Sequence, residues 1–69
     1  MNRFGEKLKA IRTEKGISTK ELAEKAGMSE VQIKNLEQGK NLPSALTVLK
    51  LSTALKFNYD ILYEYSVNK

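Results

Sequence analysis

Glu30, Val31, Lys34 and Asn35 stand close together in the chain, interleaved with the apolar pair Ile33 and Leu36. On a helix each residue turns by ~100°, so burying Ile33 and Leu36 leaves the other four on the opposite side. Their chemistry is that of recognition. An asparagine amide can pair bidentately with adenine, a valine can pack on a thymine methyl, and a carboxylate can accept from cytosine N4. Glu30 has a second reading, as a first-turn acid that favours the helix dipole.

Catalysis has little to work with. The sequence contains no Cys and no His. Disulfides, thiolate or imidazole metal sites, and Ser-His or Cys-His nucleophiles are thereby excluded. Most carboxylates lie near a Lys on charged helical faces, the pattern of a solvated surface. No enzymatic activity, metal, cofactor or small-molecule ligand is expected.

The bulk numbers point the same way. With 12 Lys and Arg against 8 Asp and Glu, the net charge is +4 over 69 residues. That balance favours a polyanionic partner, although many small basic domains bind no nucleic acid. No apolar run approaches the ~20 residues that span a bilayer, so no membrane partner is expected. The first residues, MNRFGEKLKAIR, begin an amphipathic helix rather than a cleavable signal. A soluble cytoplasmic protein is expected, one small domain over 1–69 with its core at about 3–63 and a short tail at 64–69.

The elements that position the four residues follow from periodicity and caps. Phe4, Leu8 and Ile11 form one stripe of a helix from about Arg3 to Lys15, which Gly16 ends. Ser18 and Glu21 make a capping box that opens a second helix, Thr19 to about Ala26. Gly27 suits a left-handed reversal, and Ser29 with Gln32 repeats the box for a third helix, Glu30 to about Gln38. Ala23 is small where these two helices would cross most closely. After the loop Lys40-Asn41-Leu42-Pro43, Ser44 caps a fourth helix, Ala45 to Leu55, with Val48, Leu49, Ser52 and Leu55 facing inwards. Asn58 caps a short fifth, Tyr59 to about Tyr63, and Ser66 to Lys69 are expected to fray. Lys56 stands where a C-cap glycine is common, so the fourth helix either ends without a left-handed turn or carries strain.

Two short helices joined by a tight Gly-containing turn make a helix-turn-helix, whose second helix enters the major groove of DNA. The pieces FGEKLKAIRTEKGIS, KELAEKAGMS, IKNLEQGKNLPS and LKLSTAL, in this order and separation, resemble the phage repressor and Cro type helix-turn-helix family, also called the XRE family. The resemblance covers roughly Phe4 to Tyr63. It implies an all-α, five-helix, lambda-repressor-like DNA-binding domain with the helix-turn-helix at helices 2 and 3. Such domains usually act as homodimers on a two-fold symmetric operator.

Carried across position by position, the resemblance makes Glu30, Val31 and Asn35 the readers of base edges, flanked by Ser29 and Lys34. Backbone contacts fall to Thr19, Lys20, Gln38, Lys40, Asn41 and Ser44. Lys20 and Lys40 have a second reading as solvated surface, and Asn41 as a turn residue. Relatives often carry Gln at Thr19, donating to a phosphate and bracing helix 3; the shorter threonine leaves that bracing open. Relatives also carry Gln or Arg at Glu30, so a carboxylate here would repel phosphates unless a Lys holds it or a cytosine engages it. An arginine and a glutamate pair in relatives at Arg12 and Glu37, pinning helix 1 to the end of helix 3; two unrelated surface charges are the other reading.

Leu46 and Ile61 stand outside the expected core, where relatives usually carry polar residues. With Phe57, Tyr63, Tyr65 and Val67 they suggest an apolar C-terminal surface for a second subunit, although tyrosines can also close the domain's own core. Such a dimer would set two copies of helix 3 about one duplex turn, ~34 Å, apart. The expectation is a homodimeric repressor on a double-stranded DNA operator, cytoplasmic and associated with the nucleoid when bound. The alternatives are a small controller of a restriction-modification or toxin-antitoxin operon, or a protein-interaction module on the same fold, which Glu30 and the missing Gln at Thr19 slightly favour.

Overall fold

A computed structural model describes residues 3–67, with the backbone alone for residues 66 and 67. Its elements are five helices: α1 (Phe4–Glu14), α2 (Thr19–Ala26), α3 (Glu30–Glu37), α4 (Ala45–Leu55) and α5 (Tyr59–Val67). There is no strand among the described residues, and no described helix is long and apolar enough to cross a membrane. α3 packs on α2 and α1, α4 packs on α2 and α5, and α5 returns to α1. The shared core is built on Phe4, Leu8, Leu22, Ile33, Leu51 and Leu62, each with no solvent exposure.

The caps explain where the helices begin. Ser18 Oγ accepts from the Glu21 N–H, and the Glu21 side chain returns to the Ser18 N–H. Ser29 and Gln32 form the same reciprocal pair at α3. Ser44 caps α4 through the Thr47 N–H, and Asn58 Oδ1 accepts from Asp60 and Ile61 at α5. These local bonds satisfy donors that a helix start otherwise leaves open.

The reversal between α2 and α3 rests on Gly27, at φ 68°. There the Met28 N–H reaches back to the Ala23 carbonyl at 2.9 Å, a Schellman closure. α4 closes in the same way, with Phe57 N–H on the Ser52 carbonyl at 2.9 Å, yet the left-handed residue is Lys56 at φ 53°. Of the two readings for Lys56, the structure has the left-handed turn on a residue with a β-carbon.

Two expectations are corrected. Leu49 does not face the core; it is 50% exposed, and Leu51 is buried instead. Val48, Leu51, Ser52 and Leu55 form the i, i+3, i+4, i+7 stripe, whereas Leu49 stands about 100° round from Val48. α5 also runs beyond its expected end near Tyr63, to Val67. Nothing in Glu64-Tyr65-Ser66 breaks a helix, and Tyr65 is held against the core under Lys7, 5.2 Å from its ring. Ser66 and Val67, expected to fray, have helical backbone; their side chains lie outside the described residues, as do Asn68 and Lys69.

Candidate nucleic-acid interface

α3 is eight residues long, hence roughly 12 Å, a length the major groove of B-DNA accommodates. Ile33 and Leu36 anchor it in the core. Val31, on the far side, is 66% exposed, the highest value among the described large hydrophobic residues. Glu30 and Asn35 are half-buried and Lys34 is exposed beside them. All three sequence-derived base readers therefore reach solvent from one short helix.

Glu30 is held in place. Thr19 donates its hydroxyl to Glu30 Oε2 at 2.7 Å, and Lys34 Nζ lies 3.7 Å from the same oxygen. The Thr19 hydrogen bond is the main reason that the carboxyl is pushed below its ordinary value; partial desolvation opposes this, and the charges of Lys34 and Lys20 add to the lowering. Glu30 is thus an ionised acceptor near neutral pH, with 41% of its side chain open to solvent. The sequence posed two questions, what would hold the carboxylate and whether Thr19 could brace helix 3. One contact between the first residues of α2 and α3 answers both.

Around this head stand the expected backbone contacts. Lys20, Ser29, Gln38, Lys40, Asn41 and Ser44 are all exposed, and Thr19 is half-buried. Ser29 accepts a helix-capping bond through Oγ, which leaves a hydroxyl hydrogen that can turn outward, whereas Ser44 Oγ both accepts from the Thr47 N–H and meets the Thr47 hydroxyl at 3.0 Å. The Lys40 N–H closes the end of α3 on the Asn35 carbonyl at 3.0 Å, so the residue stands just beyond that helix. Lys20, Lys34 and Lys40 thus supply positive charge before, within and after α3.

Arg12 and Glu37 meet. Arg12 Nε donates to Glu37 Oε2 at 2.6 Å and Nη2 to Oε1 at 3.2 Å, while Nη1 donates to the Ile17 carbonyl at 2.9 Å. This two-pronged geometry ties α1 and the α1–α2 turn to the last residue of α3. The hydrogen bond to Glu37 raises the already high pKa of the guanidinium, against a lowering by desolvation.

The residues expected in a subunit interface divide. Leu46 and Ile61 are 60% and 44% exposed, and Tyr63 is exposed while its ring stacks on Tyr59 at 5.6 Å. Phe57 and Tyr65 are instead half-buried against the core, with Lys7 over both rings. Leu49, placed in the core by sequence, joins Leu46 on the open face of α4. Its three-residue spacing from Leu46 was the available signal.

A helix-turn-helix family model matches residues 8–62. The chain is 39% identical over 61 residues to the HTH-type transcriptional repressor RghR of Bacillus subtilis (strain 168), an alignment covering 87% of this chain and 45% of that protein. It therefore spans less than half the length of this relative. The structure is similar to the restriction-modification controller protein C.AhdI from Aeromonas hydrophila, with a TM-score of 0.85 and 34% identity over 88% of each chain. It is also similar to the N-terminal DNA binding domain of SinR from Bacillus subtilis, with a TM-score of 0.83 and 33% identity over 91% of this chain and 93% of that one. An anchored α3 with its outer face open and a family match across most of the sequence lead to one conclusion: the chain belongs to the helix-turn-helix family of XRE type.

Proposed function

We propose that this protein is a DNA-binding regulator of transcription, a homodimeric repressor that lays α3 in the major groove of each half of a two-fold symmetric operator. The observation that carries the reading is the outward face of α3, with Val31 open to solvent and Glu30, Lys34 and Asn35 beside it. Val31, Asn35 and Glu30 read bases; Lys20, Lys34, Lys40 and neighbouring hydroxyl and amide groups meet phosphates. Phosphate contacts carry most of the affinity and its salt dependence, and α3 the selectivity. Leu46, Leu49, Ile61 and Tyr63 supply the subunit contact. No cofactor enters, and the site of action is the cytoplasmic nucleoid.

Repression is supported by the likeness to RghR, and it works by occupying DNA that polymerase needs. The likeness to C.AhdI along nearly the whole chain supports a second reading, control of a restriction-modification operon. Both use the same surface and differ only in the genes beside the operator. The interaction-module alternative loses its motive: Glu30 and Thr19, which favoured it, are each other's partners.

Selection from a random duplex pool tests the proposal. Bound duplexes should carry paired inverted half-sites about one helical turn apart. Absence of any mobility shift at low salt would overturn DNA binding through this surface; an enriched single half-site without symmetry would overturn the dimer.

A further inference from the structure

We infer that Glu30 and Lys34 form an exchangeable ion pair that couples base reading to a phosphate contact. Lys34 stays on Glu30 over mismatched DNA and is released to the backbone where a base amine engages the carboxylate. This coupling rests on the proposed reading of α3 and goes beyond it by joining two contacts that would otherwise be independent.

Lys34 Nζ lies 3.7 Å from Glu30 Oε2, and no other carboxylate is within ion-pair distance of it among the described residues. The pair sits one helical turn apart with 57% of the lysine and 41% of the glutamate side chain open to solvent. Exposed pairs of this kind are weak, so either member changes partner at small cost. Both stand on one flank of the reading face. Successive helical residues turn by ~100°, which sets Lys34 ~40° round from Glu30 and ~60° from Val31. Glu30 Oε2 also accepts from the Thr19 hydroxyl at 2.7 Å, whereas Oε1 takes no hydrogen bond among the described residues. One oxygen carries the protein's own contacts and the other is available to a base.

Over a duplex these groups compete. A phosphate attracts the Lys34 ammonium and repels the Glu30 carboxylate. Opposite guanine O6 and N7 or thymine O4 the carboxylate meets only acceptors, so sending Lys34 to a phosphate strips it of its cation with nothing in return. There Lys34 remains on Glu30. Opposite cytosine N4 or adenine N6, Oε1 gains a charge-assisted hydrogen bond from the amine. The DNA then compensates the carboxylate, and Lys34 is released to neutralise a phosphate. One base thus decides whether one lysine counts among the backbone contacts. Selectivity enters through counterion release as well as through the base hydrogen bond, and it is read in the salt dependence of binding.

The test measures binding against salt concentration for the wild type, Glu30→Gln, Lys34→Met and, as a control, Lys20→Met, with thermal melts confirming that each is folded. Each protein is titrated on a duplex that the wild type enriches from a random pool and on its single-base variants. At one position of the half-site, cytosine or adenine should steepen the wild-type slope of log K against log salt, relative to guanine or thymine. The difference should be about 0.9 per half-site, the value of one phosphate contact. Lys34→Met should lose that difference and keep the shallower slope on every duplex. Glu30→Gln should lose it with the steeper slope on every duplex, and should bind mismatched duplexes more tightly than the wild type does. Lys20→Met should lower all slopes alike and retain the difference. A wild-type slope indifferent to the base at every position, or a difference that survives in Lys34→Met, would overturn the inference while leaving the proposed function standing. Failure of the wild type to shift any duplex would overturn both.

Discussion

Gly5 rests on the backbone of Leu36: a β-carbon at Gly5 would collide with the Leu36 carbonyl oxygen and lie 2.6 Å from that of Glu37. The first turn of α1 therefore sits directly on the carbonyl groups that close α3. Backbone oxygens cannot rotate aside as a side chain can, so the close approach requires glycine.

Gly5→Ala should accordingly destabilise the protein. In an open helical position the same change would stabilise by ~1 kcal/mol, because alanine is the better helix former. Here the overpacking should outweigh that gain and leave a net loss of about 1–3 kcal/mol. A thermal melt decides by sign alone. A raised melting temperature would mean that α1 does not bear on α3 at Gly5.

The ion pair of Arg12 and Glu37 fastens the same two helices from their sides. Only 13% of the arginine side chain and 8% of the glutamate side chain are exposed, so removal of one charge strands the other. Glu37→Gln should cost about 3 kcal/mol, towards the lower end for breaking a buried pair. The double variant Arg12→Met with Glu37→Met should recover much of the loss, because the unpaired charge is gone. Denaturant melts of the single and double variants measure the coupling. Additive losses would show that the two side chains act independently.

What could be read in the sequence was what is local. The boxes at Ser18–Glu21 and Ser29–Gln32 announce two helix starts because their bonds span a single turn. The stripe of Phe4, Leu8 and Ile11 stands out against charged neighbours. α4 offers no such contrast: Leu46, Val48, Leu49, Leu51 and Leu55 allow more than one apolar face, and only packing on α2 and α5 decides between Leu49 and Leu51. Gly5 looks like an ordinary glycine in an amphipathic run until α3 is laid across it. The Thr19–Glu30 bond joins two helices, so the sequence showed a carboxylate needing a partner and a threonine whose bracing of helix 3 was open, and not their pairing.

Lys56 stores strain that can be relieved. It holds the left-handed conformation, φ 53°, that Gly16, Gly27 and Gly39 adopt elsewhere in the chain. Such a conformation costs a residue with a β-carbon roughly 1–2 kcal/mol, and part of this is returned to the unfolded chain when glycine replaces it. Lys56→Gly should therefore stabilise by about 1 kcal/mol, which for a domain of this size raises the melting temperature by roughly 4–8 °C. A fall would show that the lysine side chain makes a compensating contact.

The Glu30 carboxyl gives the protein an acid-sensitive contact. Its folded pKa lies below the ordinary value of 4.5, chiefly through the Thr19 hydroxyl. Its stabilising contribution is thus complete above that value and is lost as pH falls through the lower folded pKa. Nuclear magnetic resonance of the side-chain carboxyl should place the wild-type midpoint below 4.5. Thr19→Val should move it upward, and Lys34→Met should do so by less. Thr19→Val should also be less stable than the wild type at neutral pH, with the difference closing in acid. An unmoved midpoint in Thr19→Val would place the source of the shift elsewhere.

The proposed subunit contact can be separated from the fold because the exposed and half-buried residues of α4 and α5 are placed differently. Leu46, Leu49 and Ile61 are open to solvent, so a charge there removes little from the monomer, within about 0.5 kcal/mol. Phe57 and Tyr65 close the core and carry the Lys7 ammonium over their rings, so changing them unfolds before it dissociates. Leu46→Lys and Ile61→Lys should each sediment as a folded monomer at concentrations where the proposed wild-type dimer forms, and should bind a symmetric duplex without cooperativity. Phe57→Ala should lower the melting temperature whatever the subunit state. A wild type that sediments as a monomer with its operator present would remove the dimer from the proposal, and the apolar face of α4 would then have no partner in a second copy of the chain.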